Sequence, residues 1–86
     1  MKISVELTLS PLQDDFEAPV IAFIKKLRDS GLTVLENPMS TQIFGDYDAV
    51  MELLNSEIRE SFENLEHVVL TMKMAKSDRS EYEPHF

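Results

Sequence analysis

No cysteine occurs among the 86 residues. That single absence excludes disulfides, thiol nucleophiles, iron-sulfur ligation and cysteine-based zinc sites together, and it suits a reducing cytoplasm. Glycine is nearly as scarce. With only Gly31 and Gly45 present, the chain has no glycine-rich loop to cradle a phosphate. Long apolar runs are missing too, since no window approaches the roughly 18 apolar residues of a membrane span. The opening Met1-Lys2-Ile3-Ser4-Val5-Glu6-Leu7 alternates apolar and polar residues and so lacks the unbroken core of a secretory signal. The expectation is a cytoplasmic protein with no membrane partner. Positive charge is the last shortage: eight Lys and Arg stand against sixteen Asp and Glu, a formal net charge of −8. Such a field repels phosphate backbones over a Debye length of about 8 Å and argues against nucleic acid as a partner. It favours a cationic ligand, although acidity also serves plain solubility.

What remains is an ordinary globular composition, 43% apolar. A chain this short supports one core and buries only about 60 to 65% of its unfolded surface on folding. Oligomerisation would help it. Residues 1–76 carry clear periodicity and are expected to form a single domain, followed by a C-terminal tail over 77–86 that has none.

Ile3, Val5, Leu7 and Leu9 fall on one side of a strand, with Lys2, Ser4, Glu6, Thr8 and Ser10 on the other. Pro11 ends it. A helix begins between Asp15 and Ala18, because Pro19 is tolerated only in a first turn, where its missing N–H had no intrahelical partner. Phe16, Val20, Phe23, Ile24 and Leu27 then keep helical spacing to Gly31, which sits where a left-handed glycine closes a helix. Leu32 to Glu36 reads as a second strand, Asn37-Pro38 as a turn, and Met39 to Phe44 as a third strand. Asp46 is a good N-cap for a second helix, with Asp48 in its first turn. Val50, Leu53, Leu54, Ile58 and Phe62 continue that helix to Asn64. Val68, Leu70, Met72 and Met74 alternate with Val69, Thr71, Lys73 and Ala75 in a fourth strand.

The order β-α-β-β-α-β predicts an α+β, ferredoxin-like βαββαβ sandwich. Right-handed crossovers put both helices on one face of a four-stranded antiparallel sheet, in spatial order 4-1-3-2. The other face is left bare. Glu6, Thr8, Ser10, Leu35, Phe44, Val69, Thr71 and Lys73 are assigned to it, a mixture too apolar for plain solvent and too polar for a closed core. Such a face meets a second copy of the chain, a ligand, or both.

The stretch Glu36 to Asp48, E-N-P-M-S-T-Q-I-F-G-D-Y-D, gathers two amides, two hydroxyls and carboxylates around a tight backbone. Two readings stay open from the residues alone: a small-molecule cradle, or a hairpin followed by a helix cap. Catalysis finds little support. Neither His67 nor His85 is placed to serve a serine. The acidic pairs Asp14-Asp15 and Asp46/Asp48 lack the dense spacing of a calcium loop, so no metal and no cofactor is expected. Met39, Met51, Met72 and Met74 suit adaptable packing.

Several segments together resemble the small thiamine-binding, YkoF-like family. They are the first strand ending S-P-L, the helix exit F-I-K-K-L-R-D-S-G-L, the centre N-P-M-S-T-Q-I-F-G-D-Y-D-A-V-M, and the final V-V-L-T-M-K-M. The resemblance runs over residues 1 to about 76, and P-M-S-T-x-I-x-G-D is its most specific part. It implies a ferredoxin-like homodimer or tetramer assembled sheet against sheet, which binds thiamine or its hydroxymethylpyrimidine moiety without catalysis. The family more often has Glu-Trp where this chain has Asp46-Tyr47, a carboxylate shorter by one methylene, about 1.5 Å.

An aminopyrimidine offers a donor amine beside ring-nitrogen acceptors, so a hydroxyl or amide paired with a carboxylate can read its edge while apolar groups pack its faces. On that chemistry the expected ligand-binding residues are Glu6, Ser10, Asn37, Ser40, Thr41 and Asp46 for polar contact, with Met39 and Phe44 for packing. The alternative is an oligomeric regulatory or interaction module whose open sheet takes no small molecule.

Overall fold

The computed structural model describes residues 1–86, and its element order is the expected one. Strand β1 spans Lys2–Pro11, helix α1 Glu17–Arg28, β2 Thr33–Glu36, β3 Thr41–Asp46, helix α2 Tyr47–Asn64 and β4 Val68–Lys76. The strands form one antiparallel sheet in the order β2-β3-β1-β4, which is 4-1-3-2 read from the other edge. Both central strands are flanked on both sides, so β1 and β3 carry the register of the whole sheet.

Alternation along β1 builds the core. Ile3, Val5, Leu7 and Leu9 point to the helices and are buried with Ile43, Phe23, Leu27, Val50 and Leu54. Pro19 is the third residue of α1, where its absent N–H leaves no helical bond unmade. Gly31, two residues beyond the C-cap Asp29, has φ +83°, a conformation that glycine adopts freely. Gly45 is constrained differently. A Cβ there would stand 3.3 Å from Leu32 Cδ2 and 3.4 Å from Val50 Cγ2, so the first turn of α2 packs onto β3 at the one place without a side chain. The helices are tied to each other and to the sheet by ion pairs: Lys26 reaches Glu57 and Glu60, and Arg28 forks onto Glu36.

Four expectations need correction. The third strand begins at Thr41 rather than Met39 and runs two residues past Phe44, because the Asn37 side chain holds Met39 and Ser40 in the turn. Asp46 occupies the N-cap position of α2 but makes no side-chain cap bond. As the last residue of β3 it points across the sheet to Lys2, 3.4 Å away, and the Tyr47 N–H donates to the Met1 carbonyl instead. Phe16 and Phe62, expected in the apolar stripes, are half exposed at the helix ends. Phe44 was assigned to a face left open to water, yet it is only 4% exposed. The chain after β4 turns back at Ser77 and closes over Ser4, which lies opposite Phe44 in the ladder.

That return is held by three hydrogen bonds. Ser77 N–H donates to the Lys2 carbonyl at 2.8 Å, the Ser4 hydroxyl donates to the Ser77 carbonyl at 2.8 Å, and the Arg79 N–H donates back to the Ser4 hydroxyl at 2.9 Å. Ser77 sits at φ +88°, a left-handed conformation that non-glycine residues rarely adopt. The rest of the open face is uncovered: Leu35 is 46% and Val69 50% exposed. No helix is long and apolar enough to cross a membrane.

Candidate functional site

The even-numbered residues of β1 face away from the helices, and at the middle of that row stands Glu6. Opposite it are Gln42 on β3 and Lys73 on β4, fixed there by the sheet register. The β2-β3 turn adds Ser40. Its hydroxyl donates to Glu6 Oε2 at 3.0 Å, the Gln42 amide donates to the same oxygen at 3.3 Å, and Lys73 Nζ lies 3.4 Å from Oε1. These partners all favour the charged form. The Glu6 carboxyl is therefore held below the usual carboxylate range, first by the Ser40 hydrogen bond, then by Gln42 and Lys73. A carboxylate has about four lone-pair positions, so Glu6 keeps acceptor capacity for a further donor.

The turn is built to deliver Ser40. Asn37 Oδ1 accepts from Met39 N at 2.8 Å and from Ser40 N at 2.9 Å, and the Thr8 hydroxyl, on the same face as Glu6, donates to the Met39 carbonyl at 3.2 Å. Asn and Asp do this locally because their short side chains reach their own backbone two residues on. Beside the cluster is a cavity of about 270 Å³ bordered by Glu6, Gln42, Phe44, Lys73, Met74 and Arg79. One wall is acidic, one is aromatic and one is basic.

Of the residues expected from the sequence, Glu6 and Ser40 meet directly, and Phe44 joins them at the cavity. Asn37 holds the turn with its amide oxygen, and Met39 stands at its tip, 82% exposed. Thr41 faces the other way. It is 6% exposed and borders a smaller hollow of about 130 Å³ on the helix side, with Phe23, Asn37 and Met39. Ser10 and Asp46 are each four residues along a strand from the cluster, about 14 Å away at the usual rise, opposite Val69 and Lys2 respectively. The cluster also contains Gln42 and Lys73, and the cavity contains Arg79, none of which was among the expected contacts. The face of Gln42 could have been found by counting: with Ile43 in the core, its neighbour must lie on the open face, and the register then sets it opposite Glu6.

No curated protein matches the sequence. A family model described as thiamine-binding protein matches residues 5–85. Solved structures share the fold. A Streptococcus pneumoniae protein superposes with a TM-score of 0.83 at 24% identity, covering 91% of this chain and 89% of its own. A Thermotoga maritima protein assigned to thiamine biosynthesis or salvage gives 0.80 at 18% identity, with 90% and 85% covered. A Methanocaldococcus jannaschii protein gives 0.75 at 22%, with 93% and 84% covered. With the family model running from the first strand through the segment that closes over Ser4, the chain belongs to the thiamine-binding protein family.

Proposed function

We propose that this protein binds thiamine or its hydroxymethylpyrimidine moiety on the open face of the sheet, without converting it, as a cytoplasmic homo-oligomer. The observation that carries the reading is the Glu6 cluster. A carboxylate kept ionised by Ser40 and Gln42 accepts the pyrimidine amine, while the Ser40 hydroxyl and the Gln42 amide, able to re-aim, donate to ring nitrogens. Phe44, opposite Ser4 on the same face, gives the ring an apolar wall. Membership of the family supports the ligand class, and the acidic surface supports a cationic thiazolium.

The exposed half of the same face supports self-association. Leu35 and Val69 stay half open to water in a single chain, and burying the remaining half of each against a second copy would contribute about 1 kcal/mol. Phe44 is unsuited to test this because it is already covered. Val69→Glu is the better probe, and light scattering should show the wild type as a dimer or larger and the variant as a monomer.

Calorimetric titration tests the ligand. Saturable binding of thiamine or hydroxymethylpyrimidine that Glu6→Gln weakens, with an unchanged melting temperature, supports the reading. Silence toward both compounds, with self-association intact, favours an interaction module instead.

A further inference from the structure

Positive charge is scarce in this chain, and most of it is spoken for. Of the eight Lys and Arg side chains, Lys2, Lys26, Arg28, Arg59 and Lys73 each lie within ion-pair distance of a carboxylate. Lys25, Lys76 and Arg79 do not, and of these Arg79 is the one that borders the Glu6 cavity. Its backbone is anchored there, with its N–H on the Ser4 hydroxyl and its carbonyl accepting from Tyr82 N at 3.3 Å. An arginine without a carboxylate partner, anchored by its backbone at the border of a cavity in a protein of charge −8, is not explained by solubility, which the acids already supply.

The neighbours reinforce it. Lys73 borders the same cavity, and Lys2, on the same face where the chain turns back, is paired with Asp46, so Lys73 and Arg79 are the two bases at the cavity itself. Asp78, the nearest acid in sequence, is engaged: its Oδ1 accepts from Ser80 N at 2.9 Å. Lys73 is also free to move, since its pairing with Glu6 is an exposed one and such pairs are weak. Along β1, Glu6 and Ser4 are two residues apart, about 7 Å, so the Arg79 backbone is held one small molecule's length from the Glu6 position.

We propose that the cavity reads both ends of its ligand: Glu6 with Ser40 and Gln42 takes the pyrimidine amine, and Arg79 with Lys73 takes a phosphoryl group. The preferred ligand is then a phosphate ester of the pyrimidine compound rather than the free alcohol. Guanidinium suits this task because its planar fork meets two phosphate oxygens at once. The inference rests on the ligand class proposed above and adds its phosphorylation state.

Calorimetry at fixed ionic strength decides it, comparing thiamine with thiamine monophosphate and hydroxymethylpyrimidine with its phosphate. The esters should bind roughly 10- to 150-fold more tightly, which is what a charge-assisted hydrogen bond is worth. Arg79→Gln should erase that preference. Arg59→Gln changes the net charge equally but sits on α2, and it should keep it. Equal affinity for alcohol and ester in the wild type overturns the phosphoryl subsite and leaves the thiamine reading standing. A preference that survives Arg79→Gln also overturns it. Binding of none of the four compounds would overturn both.

Discussion

Strand β1 presents two faces of opposite character, and the contrast explains how so short a chain combines stability with recognition. Toward the helices, Ile3, Val5, Leu7 and Leu9 form the centre of the core. Away from them, Ser4 latches the returning chain, Glu6 gathers Ser40, Gln42 and Lys73, and Thr8 anchors the β2-β3 turn. One residue of spacing separates packing from chemistry. The rigid side holds the polar side still, because each even residue from Ser4 to Ser10 is flanked by two buried odd ones, so Glu6 is positioned by Val5 and Leu7 without being buried itself.

Breaking the packed face should have the largest effect. Leu7→Ala removes a fully buried side chain and should cost about 2 to 5 kcal/mol, measured by urea denaturation, with binding lost only as far as the folded fraction falls. On the polar face the order reverses. Glu6→Gln should leave stability nearly unchanged but weaken ligand binding roughly 10- to 150-fold, the range for a hydrogen bond to a charged group. A similar stability loss in both variants would erase the distinction between the faces.

A finer version of the same contrast uses adjacent residues. Ser40→Ala should weaken binding several-fold, whereas Thr41→Val, on the helix side, should leave affinity alone and change stability by no more than about 1 kcal/mol. Equal loss of affinity in both would move the ligand to the end of the turn, where Asn37 and Met39 stand.

The smallest expected effect is on pH dependence. Glu6 and Glu36 are both held below the usual carboxylate range, Glu6 first by Ser40 and Glu36 first by Arg28. A folded-state pKa below the unfolded one stabilises at pH above the unfolded value, about 4.3 for Glu, and that stability is lost as pH falls through the folded one. Melting temperature should therefore be flat near neutrality and decline below about pH 4. In Glu6→Gln the decline should be shallower by the share Glu6 contributes.

The architecture was legible because β1 and the two helices carry strong periods, and a period needs no partner to be read. Strand order and helix placement followed from connection rules. The candidate site was legible only in part. Glu6, Ser40 and Phe44 could be chosen by face and residue type, but Ser10 and Asp46 share that face while lying about 14 Å along it, and distance along a strand says nothing until register is known. Phe44 shows the other limit. It is buried opposite Ser4, to which the chain after 76 returns, and the aperiodic sequence of that segment gives no sign that Ser4 will hold it. Asp46 looked like a cap from its chemistry, and the decisive competitor was Lys2, far away in sequence but opposite it in the sheet.

The reversal at Ser77 has a consequence in time rather than in space. A serine at φ +88° carries a strain of about 1 to 3 kcal/mol, and the three bonds around Ser4 offset it by a comparable amount, so latch and strain stand close to balance. Amide hydrogens in the middle of β1 can exchange with solvent only when the domain unfolds, whereas those of Ser77 and Arg79 need only this latch to open. In a deuterium-exchange experiment the two sets should separate into slow and fast classes. A ligand that engages Arg79 should slow the fast class and leave the ranking within the sheet unchanged.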